Sequence, residues 1–138
     1  MTVRDELAVD QLAVDTTALP DGRYRFRLSA SDGPTNPGDA LSATRSSAWF
    51  VVDNTPPQVT LTRQGELWVV VVEDGGSALS RVEWSRDGSR WKELAPADGI
   101  LDGQRESFSL PASSGRHLVV VRVVDRHHNR ATVGSVEQ

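Results

Sequence analysis

Gly115-Arg116-His117-Leu118-Val119-Val120-Val121-Arg122-Val123-Val124-Asp125, followed four residues later by Asn129, is the stretch on which the reading of this chain turns. An earlier stretch repeats its outline. From Gly22 the chain reads Gly-Arg-Tyr-Arg-Phe-Arg-Leu-Ser-Ala-Ser, then Asp32 and Asn36, and the offsets 115 − 22, 125 − 32 and 129 − 36 all equal 93. A constant offset across matched positions marks repeated modules, and 138 residues hold one complete copy and part of another.

Around the first copy, Leu19-Pro20-Asp21-Gly22 is a turn signal, and strict alternation follows. Tyr24, Phe26, Leu28 and Ala30 fall on one face, with Arg23, Arg25, Arg27 and Ser29 on the other, so the spacing predicts a strand with a dry and a wet side. Upstream, Leu-Ala-Val-Asp occurs at Leu7 and again at Leu12, and a short strand is expected over Gln11–Asp15. Downstream, residues 32–47 are rich in Gly, Pro, Ser, Thr and Asn without a period and predict a long loop, before a returning strand at residues 48–52. Asp53-Asn54-Thr55-Pro56-Pro57 then interrupts the pattern as a short, stiff linker, because consecutive prolines fix φ and hold the residues before them extended. The expected division is therefore 1–55, the end of one module, and 56–138, a complete one.

Around the second copy, strands are expected at Val59–Thr62, Leu67–Glu73, Leu79–Arg86, Arg90–Leu94, Glu106–Leu110, Arg116–Asp125 and Ala131–Val136. Short strands at close intervals with turn residues between them fit an all-β sandwich, not alternating strands and helices. Asp87-Gly88 marks a hairpin, since Asp-Gly accepts the positive φ angles of a two-residue turn.

Net charge of −4 and a pI near 5.3 argue against nucleic-acid and anionic-membrane partners, both of which need neutralisation of phosphate. With no cysteine there is no disulfide framework, thiol nucleophile or zinc–thiolate site. No apolar run reaches the ~20 residues of a membrane helix, so no membrane insertion is expected. Met1-Thr-Val-Arg-Asp-Glu lacks the features of a signal peptide, and the chain is expected to be a piece of a longer protein.

These residues resemble the fibronectin type III and bacterial immunoglobulin-like modules that occur in tandem in large exported proteins. Leu19-Pro20-Asp21-Gly22-Arg23-Tyr24 is similar to the family's tyrosine corner, in which the phenol bonds back to the main chain. Asp32 to Asn36 and Asp125 to Asn129 resemble the turn that follows it, and Val-Asp-Asn-Thr-Pro-Pro at 52–57 resembles a junction between modules. The second copy departs at the corner, where His117 takes the tyrosine's place and two extra residues separate Leu110-Pro111 from Gly115. The first copy has too few residues before Tyr24 for the strands the fold requires. The resemblance implies a seven-stranded sandwich preceded by a partial one. It also implies a non-catalytic role as a spacer or adhesion unit in an exported or cell-surface bacterial protein, or alternatively as an accessory module binding carbohydrate or another ligand.

Candidate sites weigh as follows. His117, His127 and His128 are the imidazoles, and adjacent residues in extended chain point apart, so a zinc site is not expected. No serine sits in a nucleophile elbow, and no enzyme is expected. Asp53, Asn54, Asp74, Asp125 and Asn129 offer oxygen ligands at strand ends and the linker, and Asp53, Asn54, Asp125 and Asn129 are retained as calcium candidates. Asx side chains also close turns on their own backbone without an ion, which is the favoured reading, so no metal or other cofactor is expected. Arg23, Arg25 and Arg27 either pair with acids on neighbouring strands or bind an anionic polymer, the first being favoured. Trp68 and Trp84 face the core by parity, leaving Trp49 and Trp91 as exposed aromatics.

Partners are expected among neighbouring domains of the same polypeptide. The offset places Val119, Val121 and Val123 inward and leaves Leu118, Val120 and Val124 as an outward apolar face for docking. A partial module cannot close its own core, so two copies of this chain are expected to pair through residues before Asp53.

Overall fold

The computed structural model describes residue 2 and residues 10–137 as an all-β protein of antiparallel ladders. Residues 1 and 3–9, which take in most of the first Leu-Ala-Val-Asp, and residue 138 lie outside the described residues. Among the described residues the one helical element is the 3-10 turn Thr16–Ala18, capped by the Asp15 carboxylate, which accepts from Thr17 N at 2.9 Å. No helix among them is long and apolar enough to cross a membrane. The chain divides into two units, one ending at Val52 and one beginning at Asp53, three residues before the expected boundary.

The first unit contains β1 (Gly22–Tyr24), β2 (Arg27–Ser31), β3 (Ser42–Ser46) and β4 (Phe50–Val52). β1 pairs with β4 and β2 with β3, in two short ladders. Residues 11–15 belong to no strand, and the single strand expected from Arg23 onward is broken at Arg25–Phe26. The break has a local cause: the Phe26 N–H donates to the Ser47 hydroxyl at 2.9 Å while Ser47 N donates to the Phe26 carbonyl, also at 2.9 Å, so a side chain replaces one rung. The loop expected over 32–47 is correspondingly shorter, because β3 lies within it. Its base is closed by the Asp32 carboxylate, which accepts from Leu41 N at 2.5 Å. Tyr24 donates its hydroxyl to the Pro20 carbonyl at 2.7 Å, the bond implied for the corner. Phe50 stacks on both Tyr24 and Phe26, yet Phe26 remains 40% and Leu28 58% exposed. The alternation reads correctly as a pattern, but its apolar side stays largely open to solvent.

The second unit is a sandwich. β5 (Gln58–Gln64), β6 (Leu67–Glu73) and β9 (Arg105–Pro111) form one sheet in the order β5-β6-β9. β7 (Leu79–Ser85), β8 (Lys92–Glu93), β10 (Leu118–Asp125) and β11 (Arg130–Val136) form the other, in the order β11-β10-β7-β8. Period-two burial along β6, β9 and β10, with a register shift that brings Leu79 and Val82 of β7 to the same side, makes each sheet one-sided: Trp68, Val70, Val72, Phe108 and Leu110 project from the first into a common core with Leu79, Val82, Val119, Val121 and Val123 from the second. Each such side chain contributes roughly 1.5–3 kcal/mol on leaving water. The ladders run within each sheet, so it is this shared core that holds the two sheets together.

Two details differ from expectation. The hairpin after β7 first pairs Trp84 with Lys92, giving a longer loop than two residues, and Arg90 and Trp91 lie outside the strand. Asp87 organises that loop by accepting from Ser85 Oγ at 2.9 Å, Ser89 N at 2.8 Å and Arg90 N at 2.7 Å, with Gly88 at φ 74°. The Arg90 and Ser89 N–H groups and the Ser85 hydroxyl hold this carboxyl well below the ordinary aspartate range. The outward face of β10 is also narrower than expected. Leu118 is 39% exposed and Val120 half-buried, but Val124 is only 7% exposed and does not belong to an open docking face. Its register partners are Arg81 on β7 and Arg130 on β11, which place long aliphatic stems on both sides of it.

Candidate metal centre

Three strand or linker ends of the second unit meet at one point. Asp53 opens the unit, Asp74 follows β6 directly and Asp125 ends β10; Asp53 and Asp74 are 5% exposed and Asp125 is fully buried. A carboxylate oxygen from each lies within 4.8 Å of one from each of the others. Of the retained calcium candidates, the structure brings together Asp53, Asp125 and Asn129. Asn54, half-buried, follows Asp53 in the chain. Asp74, left out of the retained set, completes it.

The local chemistry of each aspartate is an Asx turn, as favoured from the sequence. Asp53 Oδ1 accepts from Thr55 N at 3.1 Å, and Asp74 Oδ1 accepts from Gly76 N and Ser77 N, both at 2.9 Å. Asp125 Oδ1 accepts from His127 N at 2.7 Å and Asn129 N at 2.9 Å, closing a turn in which His128 takes φ 67°. Turn formation therefore accounts for the Oδ1 atom of all three. It leaves the second oxygens unexplained. Asp125 Oδ2 accepts from the Asn129 side-chain amide at 2.8 Å, whereas Asp53 Oδ2 and Asp74 Oδ2 are buried and have no hydrogen-bond partner among the described residues.

Asn129 joins the turn to the linker. Its Nδ2 also donates to the Asp53 main-chain carbonyl at 2.9 Å, tying the residue before the prolines to the second unit. Gly76 shapes the other side. A Cβ at this position would stand 2.5 Å from Asp53 Cγ and Oδ2, so only glycine lets the carboxylate sit where it does. The His127 imidazole also lies beside the cluster, with Nδ1 3.6 Å from Asp53 Oδ2.

Three like charges at this spacing oppose one another by on the order of 3 kcal/mol per pair at an effective dielectric constant of about 20. A buried polar atom without a partner costs about 1–3 kcal/mol more. All the uncommitted atoms are oxygens, the donor set of a hard cation. Sequence reading missed the convergence because it lies in the strand register of two sheets; the one local signal was Asp74-Gly75-Gly76-Ser77, an acid at a strand end followed by room for it.

The other candidates are scattered. His117 and His128 are exposed and lie outside this group. Among the described residues no ion pair joins Arg23 or Arg25 to an acid, and both lie over the Trp49 ring, at 5.5 and 4.9 Å from its centroid. Arg122 lies 4.0 Å from the Trp91 centroid while donating through Nη2 to Glu83 Oε2 at 2.6 Å. The exposed Trp49 and the half-buried Trp91 thus each carry a guanidinium on one ring face.

A buried acid outside this cluster was not legible at all. Glu137, 1% exposed just after β11, accepts from Trp68 Nε1 at 2.6 Å, Ser113 N at 3.1 Å and Ser113 Oγ at 2.6 Å, with Arg86 Nη1 at 3.4 Å. Burial raises its pKa, but the bonds from Ser113 and Trp68 and the charge of Arg86 outweigh it, and the net direction is down. No protein-family model matches the chain, and no curated protein matches it.

Proposed function

We propose that this chain is a non-catalytic structural and interaction piece, an immunoglobulin- or fibronectin-III-like module preceded by part of another, that serves as spacer or adhesion unit in a larger exported bacterial protein. The observation that carries the reading is how the second unit treats its entry point. Its first residue is bonded through the main chain to Asn129, at the far end of the unit in sequence, while the interior is filled by side chains from both sheets. A body whose chain entry is fastened to its own frame suits a link in a series. The partition β5-β6-β9 against β11-β10-β7-β8 and the tyrosine corner at Tyr24 support the family reading.

Glycan-array binding of the 138-residue chain, followed by tryptophan fluorescence titration with any sugar that registers, tests this against a ligand-binding role. The spacer reading expects no saturable response. A saturable response abolished by Trp91→Ala or Trp49→Ala would replace it with the accessory-module reading, since bare aromatic faces are what sugars stack upon.

A further inference from the structure

We infer that Asp53, Asp74 and Asp125 form a calcium site built into the entrance of the second unit. The inference stands on three observations and is independent of the spacer reading. The three carboxylates converge within 4.8 Å. Two of their oxygens, on side chains more than nine-tenths buried, accept no hydrogen bond among the described residues, and the turns that position the aspartates make no use of them. The cradle is closed by Gly76, where even a methyl group would displace the Asp53 carboxylate.

The choice of cation follows from ligand chemistry. Carboxylates from three separate segments within 4.8 Å of one another suit calcium, which takes several protein oxygens in flexible geometry, whereas magnesium demands a near-ideal octahedron and keeps much of its water. Hard oxygens and no thiolate favour calcium over transition metals, and the ion offsets most of the charge that the three acids bring together. Asn129 acts as a positioning residue here. Its amide bonds both the Asp53 carbonyl and Asp125 Oδ2, holding two ligand-bearing segments in register.

The test is calorimetry on the whole chain, first in chelator and then with calcium. One ion per chain is expected, with a dissociation constant between about 10 µM and 1 mM, and a melting temperature raised by about 5 °C or more at saturation. Asp74→Asn separates a ligand from a merely structural acid: it keeps an oxygen for the Gly76 and Ser77 amides but removes a charge. This variant is expected to melt no lower than the parent in chelator and to lose the calcium shift. Three outcomes overturn the inference: no one-to-one binding at millimolar calcium, an equal or larger shift with magnesium or zinc, or an Asp74→Asn variant that melts lower in chelator yet responds to calcium as the parent does.

Discussion

Gly75 and Gly76 are neighbours with opposite duties. A Cβ at Gly75 would meet nothing within 4 Å, while one at Gly76 would press into the Asp53 carboxylate. Gly75→Ala is therefore expected to change stability by no more than about 0.5 kcal/mol, and Gly76→Ala to lower it by about 1–3 kcal/mol, read from denaturant midpoints. Equal effects at the two positions would show that the Asp53 carboxylate yields without cost. Glu137 makes a different prediction, in pH. Its carboxyl titrates below its ordinary value of 4.5 in the folded protein, so its stabilisation is complete above that value and is lost as the pH falls through the folded pKa. Glu137→Gln leaves the Trp68 and Ser113 donors poorly matched and is expected to cost roughly 2–3 kcal/mol at neutral pH. In acid the parent carries a neutral side chain at this position too, so the two thermal midpoints should draw together below pH 4.5. A gap that stayed constant with pH would mean the network depends on shape and not on charge.

At the level of strands, legibility followed burial. Leu67–Glu73 was read from the sequence with its ends in place, because a strand packed on a filled core writes its period into every second residue. The same logic failed for Ser42–Ser46, a strand of small and polar residues exposed along its length, which carries no period to read. It failed again at Phe26, where the rung is replaced by the Ser47 hydroxyl, an atom that no apolar pattern reports. The carboxylate cluster was half legible: the turns were visible as Asp-x-x-x-Asn and Asp-Gly-Gly, but their convergence depends on which strand ends meet. The matched turns also diverge in use. Asp125 holds the backbone of its own turn, whereas Asp32 reaches across to Leu41 and the Asn36 amide donates to the Asp39 carbonyl at 3.0 Å. The exposed Phe26, Leu28 and Trp49 bear on the expected pairing of two copies through residues before Asp53. Light scattering behind size exclusion is expected to report a dimer at tens of micromolar, reduced to a monomer by Leu28→Lys. A monomeric parent with Trp49 protected from quencher would remove that pairing.

For the whole molecule, what matters is that the second unit is secured at both of its chain ends by side chains and not by ladders alone. Asp53 is tied by Asn129, and Glu137, leaving the four-stranded sheet, is tied to Trp68 of the three-stranded one. β5 and β11, the strands next to those ends, are edge strands of different sheets, so no ladder joins the point where the chain enters to the point where it leaves. Tension applied along the polypeptide therefore falls first on the Asn129 and Glu137 clasps and only afterwards on the edges of the sheets. Such a unit keeps its length under a pull until a clasp parts. Two side chains standing at its threshold and its far end take that load first, and the ladders of β5 and β11 and the valine core meet it only once they have let go.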